Sequence, residues 1–238
     1  MTLTSNPAPP ASYHPSAMAG SEDLLVWSAI DTVLLDMDGT LLDLGFDNWF
    51  WLEHVPALYS IAHGLPESEA RALLASRYAA ARGRLEWYCL EHWSRALELD
   101  LEAAQSAVLD RARYLPGAQA FLHRLATSGK RRILLTNAHP QTLALKDRRL
   151  GLRAQVDESH STHEFGLPKE HPEFWARYRA RVPFEPARTL LVDDSVAVLA
   201  AAAQAGVRWL RAVRRPVSGG PLHDTGPYPA VDAVSELW

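Results

Sequence analysis

This chain of 238 residues holds one cysteine and three lysines, and no run of apolar residues long enough to cross a bilayer. With Cys89 alone, an intrachain disulfide framework and a cysteine-based zinc site are both excluded, which fits a reducing, cytoplasmic compartment. No apolar stretch approaches the roughly 20 residues of a membrane span, so no membrane partner is expected. The N-terminal residues lack the basic start and apolar centre of a signal peptide. Basic residues are scattered and the formal charge is −4, which argues against a nucleic-acid partner. What the chain does have is proline, alanine and serine at its start (Pro7, Pro9, Pro10, Pro15), so residues 1–25 read as an unstructured tail. Residues 214–229, rich in Pro and Gly, read as a long, loose loop.

Between these segments the patterning changes twice. Thr32 to Leu35 is a short apolar run that predicts a buried parallel strand. From about Asp47 to Arg113 only helical spacing is found: Ala70, Leu73, Leu74, Tyr78 and Ala81 form one stripe, Trp87, Leu90, Trp93 and Leu97 another, and Leu101, Ala104 and Val108 a third. After Pro116-Gly117, helices alternate with strands. Helices are expected over 118–128 (closed by Gly129), from Pro140 to near Gly151, from Pro172, and over 196–205. Strands are expected over 132–136, 156–159, 189–192 and 207–210, the last of the sheet. The expected fold is therefore α/β, a Rossmann-like parallel sheet formed by 26–45 and 115–238, with 46–114 inserted as a helical cap domain over the strand ends.

Four of the strand ends or nearby loops carry polar groups: Asp36-Met37-Asp38-Gly39-Thr40, Thr136-Asn137, Lys169 and Asp193-Asp194. A buried strand does not normally end in paired carboxylates, because desolvating them is costly without a cation or donors. The chemistry this set suits is phosphoryl transfer through a covalent aspartyl phosphate. Asp36 is the candidate nucleophile, and Asp38 the acid/base that protonates the leaving alcohol and then deprotonates water. Mg²⁺ held by Asp36, the Asp38 carbonyl and Asp194, with Asp193 as a further ligand through water, would neutralise both partners. Lys169 adds a fixed positive charge, and the Thr136 hydroxyl holds a phosphate oxygen.

These motifs resemble those of the haloacid dehalogenase superfamily, over nearly everything from Ile30 to about Arg211. The resemblance implies a cap inserted after the first strand (C1 type), and the roles given above. Asp38 distinguishes the chain from the dehalogenases, which lack a second aspartate. The absence of lysine from 46–114 distinguishes it from phosphonatases, which use a cap lysine. The stretches 32–44, Phe46-Asp47-Asn48, 87–90, 133–140, 161–163 and 165–166 look more closely like the bacterial GMP/IMP nucleotidases, purine 5′-nucleotidases. That resemblance implies a small-molecule nucleotide substrate, with a sugar phosphatase or phosphomutase as the alternative and a non-catalytic scaffold as a weaker one. Candidate substrate contacts are Asn137, Phe46, Asn48, Trp49 and Trp87, the aromatics offering faces on which a purine stacks. Trp87 and Trp93 also share a helical stripe with leucines, which favours core packing for at least one. His139 and His163 read as structural or surface histidines.

Overall fold

The structure is a computed structural model describing residues 25–238, so the expected tail lies outside the described residues except for Leu25. Six strands, β1 (Thr32–Leu35), β2 (Arg131–Thr136), β3 (Glu158–Ser161), β4 (Thr189–Asp193), β5 (Trp209–Val213) and β6 (Ala230–Val231), form one sheet in the order β3-β2-β1-β4-β5-β6. Every neighbouring pair is parallel. Side chains alternate between two apolar clusters, as the period-2 geometry of a strand requires. Val33, Leu35, Leu134 and Val192 enter one, and Leu34, Ile133, Leu135 and Leu191 the other. Both faces are thus covered, which is why these strands read as continuous hydrophobic runs. This is the α/β, Rossmann-like architecture expected.

Helices α1 (Gly45–Trp49), α2 (Val55–His63), α3 (Glu67–Ala81), α4 (Leu90–Leu97) and α5 (Leu101–Ala107) lie between β1 and β2. A π-helical turn, Phe50–His54, joins α1 to α2. This block buries an apolar cluster of its own around Phe50, Tyr59, Leu74, Tyr78, Trp93 and Leu97. Asp100 caps α5 by accepting from the Ala103 N–H at 2.9 Å. The remaining helices, α6 (Ala118–Ala126), α7 (Pro140–Leu150), α8 (Phe174–Arg181) and α9 (Val196–Gln204), connect the strands.

Several expected boundaries move. Leu73 is 38% exposed and leaves the α3 stripe. Helix α6 stops at Ala126, with Thr127 rather than Gly129 as its C-cap. Strand β3 begins at Glu158, two residues later than its apolar start suggests. Helix α8 begins at Phe174, not Pro172, because the Phe174 N–H closes a turn on the His171 carbonyl. Val207 and Arg208 donate to Ala202 and Pro186 instead of pairing, so β5 starts at Trp209. Nor is β5 the last strand, since β6 follows it. The segment 214–229 is not loose. The Pro216 carbonyl accepts from Leu44 N–H at 2.9 Å and Ser218 N–H donates to Asp43 at 3.3 Å, which ties this segment to the chain leaving the first motif.

Candidate active site

The strand order reverses between β1 and β4, the point where open parallel sheets leave a crevice at their carboxyl ends. Leu35 pairs with Val192, so the next residues on the two strands, Asp36 and Asp193, come side by side. Lys169 Nζ lies between them, 2.5 Å from Asp36 Oδ1 and 2.7 Å from Asp193 Oδ2, and also donates to the Leu135 carbonyl at 3.1 Å. All three side chains are buried. Trp175 Nε1 donates to the Lys169 carbonyl at 2.9 Å and fixes the loop that delivers the lysine.

Asp36, Asp193 and Asp194 present carboxylate oxygens within 4.8 Å of one another. Burial pushes Asp36 up to about 7 and Asp194 well above the usual carboxylate range; repulsion from neighbouring carboxylates adds to both, and the Lys169 charge opposes it. Lys169 itself is burdened by burial, but the two carboxylates beside it hold it protonated. Three acidic groups face one ammonium, so the pocket is short of positive charge. Hard oxygen donors with a charge deficit fit Mg²⁺. The turn after Asp36 is built around this cluster: a Cβ on Gly39, whose φ is +90°, would lie 2.5 Å from Asp194 Oδ2.

Thr136 ends β2, and its Oγ1 accepts from the Ala138 N–H at 3.0 Å, leaving its own proton to donate elsewhere. The Asn137 side chain is engaged at both ends, its Oδ1 accepting from Lys169 N–H and its Nδ2 donating to Glu170 Oε2, each at 2.9 Å. Asn137 therefore braces the lysine loop rather than offering its amide to a substrate. Glu170 also accepts from Tyr88 Oη at 2.9 Å, which links the helical block to that loop.

Asp38 has a partner that the sequence reading missed. Lys146 Nζ donates to Asp38 Oδ1 at 2.7 Å and to both oxygens of Asp47 at 2.7 and 2.8 Å. Lys146 is fully buried on α7, and Asp47 is buried at the start of the helical block. Burial, then repulsion from Asp38, pushes Asp47 up to about 7 against the Lys146 charge. A signal existed: Leu143, Lys146 and Leu150 are spaced to share one helix face, and a lysine on an apolar face needs an acidic partner. Lys146→Met is expected to destabilise the protein by about 3–5 kcal/mol, because it leaves buried carboxylates without a cation. Adding Asp47→Asn should recover part of that loss in urea unfolding; an undiminished single variant would refute the pairing.

The chain matches the haloacid dehalogenase-like hydrolases over residues 30–206. It belongs to the haloacid dehalogenase-like hydrolase family. It is 45% identical over 195 residues to GMP/IMP nucleotidase YrfG of Escherichia coli strain K12, spanning 82% of this chain and 88% of that protein. A phosphatase of this family from Thermococcus onnurineus superposes with a TM-score of 0.74 at 22% identity, covering 87% of this chain and 96% of the other. L-2-haloacid dehalogenase from Xanthobacter autotrophicus superposes at 0.57 and 19% identity over the same shares, a likeness of fold.

In this haloacid dehalogenase-like hydrolase the candidate contacts from the helical block separate. Phe46 is buried with its ring 5.5 Å from Lys146 Nζ, close to the Asp38 carboxylate's partner. Asn48 has a buried Oδ1 with no partner. Trp49 is stacked on His54 at 4.8 Å and has the Arg111 guanidinium 3.9 Å from its ring centroid, so its ring is already engaged within the block. Trp87 packs edge-on to Tyr78 and lies under Arg82, while Trp93 is buried beside it. Trp93 belongs to the buried packing of the block, and Trp87 packs against it while remaining partly exposed.

Proposed function

We propose that the chain is a Mg²⁺-dependent phosphatase that hydrolyses the purine nucleoside 5′-monophosphates GMP and IMP through an aspartyl phosphate, as a cytoplasmic enzyme. The observation that carries the substrate class is the 45% identity to a GMP/IMP nucleotidase across most of both chains. In this reading 46–114 is the cap and 26–45 with 115–238 the catalytic core. Asp36 attacks phosphorus, and the bond from phosphorus to the nucleoside 5′ oxygen breaks as Asp38 gives that oxygen its proton. Asp38 then takes a proton from water. The water oxygen attacks phosphorus, the bond to Asp36 breaks, and phosphate leaves with the Asp36 carboxylate restored. Mg²⁺ held by Asp36, the Asp38 carbonyl and Asp194, with Asp193 behind, supplies charge neutralisation.

Lys169 holds the Asp36 carboxylate by its Oδ1 and brings a charge opposite to the phosphate's. The Thr136 hydroxyl proton is directed to a phosphate oxygen. Lys146 sets the position in which Asp38 waits. Asn48, close in sequence to the first motif and with an unpartnered Oδ1, is assigned to accept from a base or ribose. Phosphate release should be measured over GMP, IMP, pyrimidine monophosphates and hexose phosphates with Mg²⁺. GMP and IMP are expected to lead in kcat/KM by at least about 10-fold, in line with a site that rejects substrates leaving its polar groups unpaired. Faster turnover of a hexose phosphate, or its isomerisation without phosphate release, would overturn the substrate assignment.

A further inference from the structure

Three metal-ligating side chains from three elements meet where the helical block touches the strand-end loops. Cys89 is the N-cap of α4, His139 the N-cap of α7, and His163 lies in the 3-10 turn Thr162–Glu164 after β3. One ligand atom from each lies within 4.8 Å of the other two. The two imidazoles meet edge to face, with centroids 4.9 Å apart and planes at 84°. His163 Nε2 is buried and has no hydrogen-bond partner, while the ring also interacts with the Asn137 backbone. An imidazole ligand needs one ring nitrogen not engaged in a hydrogen bond, and His163 Nε2 meets that condition. Cys89 Sγ is braced, accepting from the His92 N–H at 3.3 Å. A long contact of 3.4 Å runs from the Gln141 N–H to His139 Nδ1; ligation through Nε2 would move the proton to Nδ1 and give up that contact.

We propose that Cys89, His139 and His163 form a binding site for a borderline divalent ion, Zn²⁺, which joins the helical block to the strand-end loops. The donor set decides the ion: a thiolate and two imidazoles suit Zn²⁺ and not Mg²⁺, which takes oxygen ligands. Tetrahedral Zn²⁺ has ligands at about 2.0–2.3 Å, and hence about 3.5 Å from one another. The three atoms therefore close by about 1.3 Å at most, a side-chain adjustment. An open cavity of 390 Å³, bordered by Arg84, Glu86, Cys89, His163 and His171, gives the ion a path in and room for water as the fourth ligand. The cysteine count excludes a site built on cysteines, but not a mixed one.

Occupancy ties α4 to the loops after β2 and β3, and therefore fixes the block against the sheet. If the hydrolase reading above is right, Zn²⁺ at this site slows turnover by hindering movement of the block. Binding itself does not depend on that reading. The full chain should be titrated with Co²⁺ in excess Mg²⁺, which keeps the carboxylate cluster occupied, and the thiolate-to-cobalt charge-transfer band followed. Cys89 is the sole cysteine, so the band has one source. One ion per chain is expected. The band should vanish in Cys89→Ser, and apparent affinity should fall by at least about 10–100-fold in His163→Gln and in His139→Gln. In the unsubstituted protein, Zn²⁺ should also slow alkylation of Cys89, a test that needs no variant. No charge-transfer band, or a band and protection indifferent to both histidine substitutions, would overturn the site. Zn²⁺ binding without inhibition would leave the site standing and remove the clamp.

Discussion

Asp36→Asn is expected to cut phosphate release by at least about 10⁴-fold while leaving the metal-free protein no less stable. Asn has the shape of Asp and its carbonyl still accepts from Lys169, but an amide does not attack phosphorus. The stability half follows from burial. Asp36 is raised from 3.8 to about 7 in the folded chain, so it favours folding below about pH 4 and loses that contribution as pH rises through about 7. In metal-free protein the loss from this group amounts to about 2–4 kcal/mol across that window. The Asn variant should lack this component, and thermal melting of both proteins from pH 4 to 8 with chelator present should show the unsubstituted protein falling more steeply. Added Mg²⁺ should restore stability to the unsubstituted protein by opposing the same repulsion. Residual turnover above about one part in a hundred would rule out Asp36 as nucleophile.

Gly39→Ala should damage both fold and chemistry. At φ +90° a non-glycine residue is strained, and the added methyl would lie 2.5 Å from Asp194 Oδ2 and 3.1 Å from Pro216 Cβ. Strain and overpacking together predict a loss of about 2–4 kcal/mol in unfolding free energy. Asp194 has to move aside, and a misplacement of about an ångström in a catalytic centre costs on the order of 10²-fold in rate. The Mg²⁺ concentration giving half-maximal rate should rise in parallel. A variant with unaltered Mg²⁺ dependence would show that Asp194 does not hold the ion.

The ends of β1 and β4 were legible because each is an apolar run that stops in charge, a pattern set by chemistry within a few residues. The order of elements follows from the same local signals, and β1 appears with the expected bounds, Thr32–Leu35. Lys146 was not legible as a partner for Asp38 because a lysine in a helix is ordinarily solvated, and its acidic neighbours are 108 and 99 positions away. Glu170 stands beside Lys169 in sequence, but its value lies in Tyr88 and Asn137, which only folding brings to it. The same holds for Cys89, His139 and His163. The aromatics of the block divide: Trp93 is buried on α4 as its helical stripe implies, while Trp87 lies outside that helix, in the 3-10 turn Leu85–Tyr88, and is only partly buried. The composition of 214–229 reported how the backbone turns there, but not the surface it is fastened to.

That fastening bears on how the enzyme is made. The central strand β1 is synthesised early, yet both its neighbours come late, and Lys169 follows Asp36 by 133 positions. A growing chain therefore carries the Asp36 carboxylate through much of elongation without the lysine that pairs with it. Pro216 and Ser218, which hold the exit from the first motif, arrive later still. The helical block has its own apolar cluster and is complete by Val108, before any neighbour of β1 has been made. The order of manufacture thus separates a block that is able to collapse during elongation from a strand-end cluster whose members, Asp36, Lys169, Asp193 and Asp194, are all present only once residue 194 has been made.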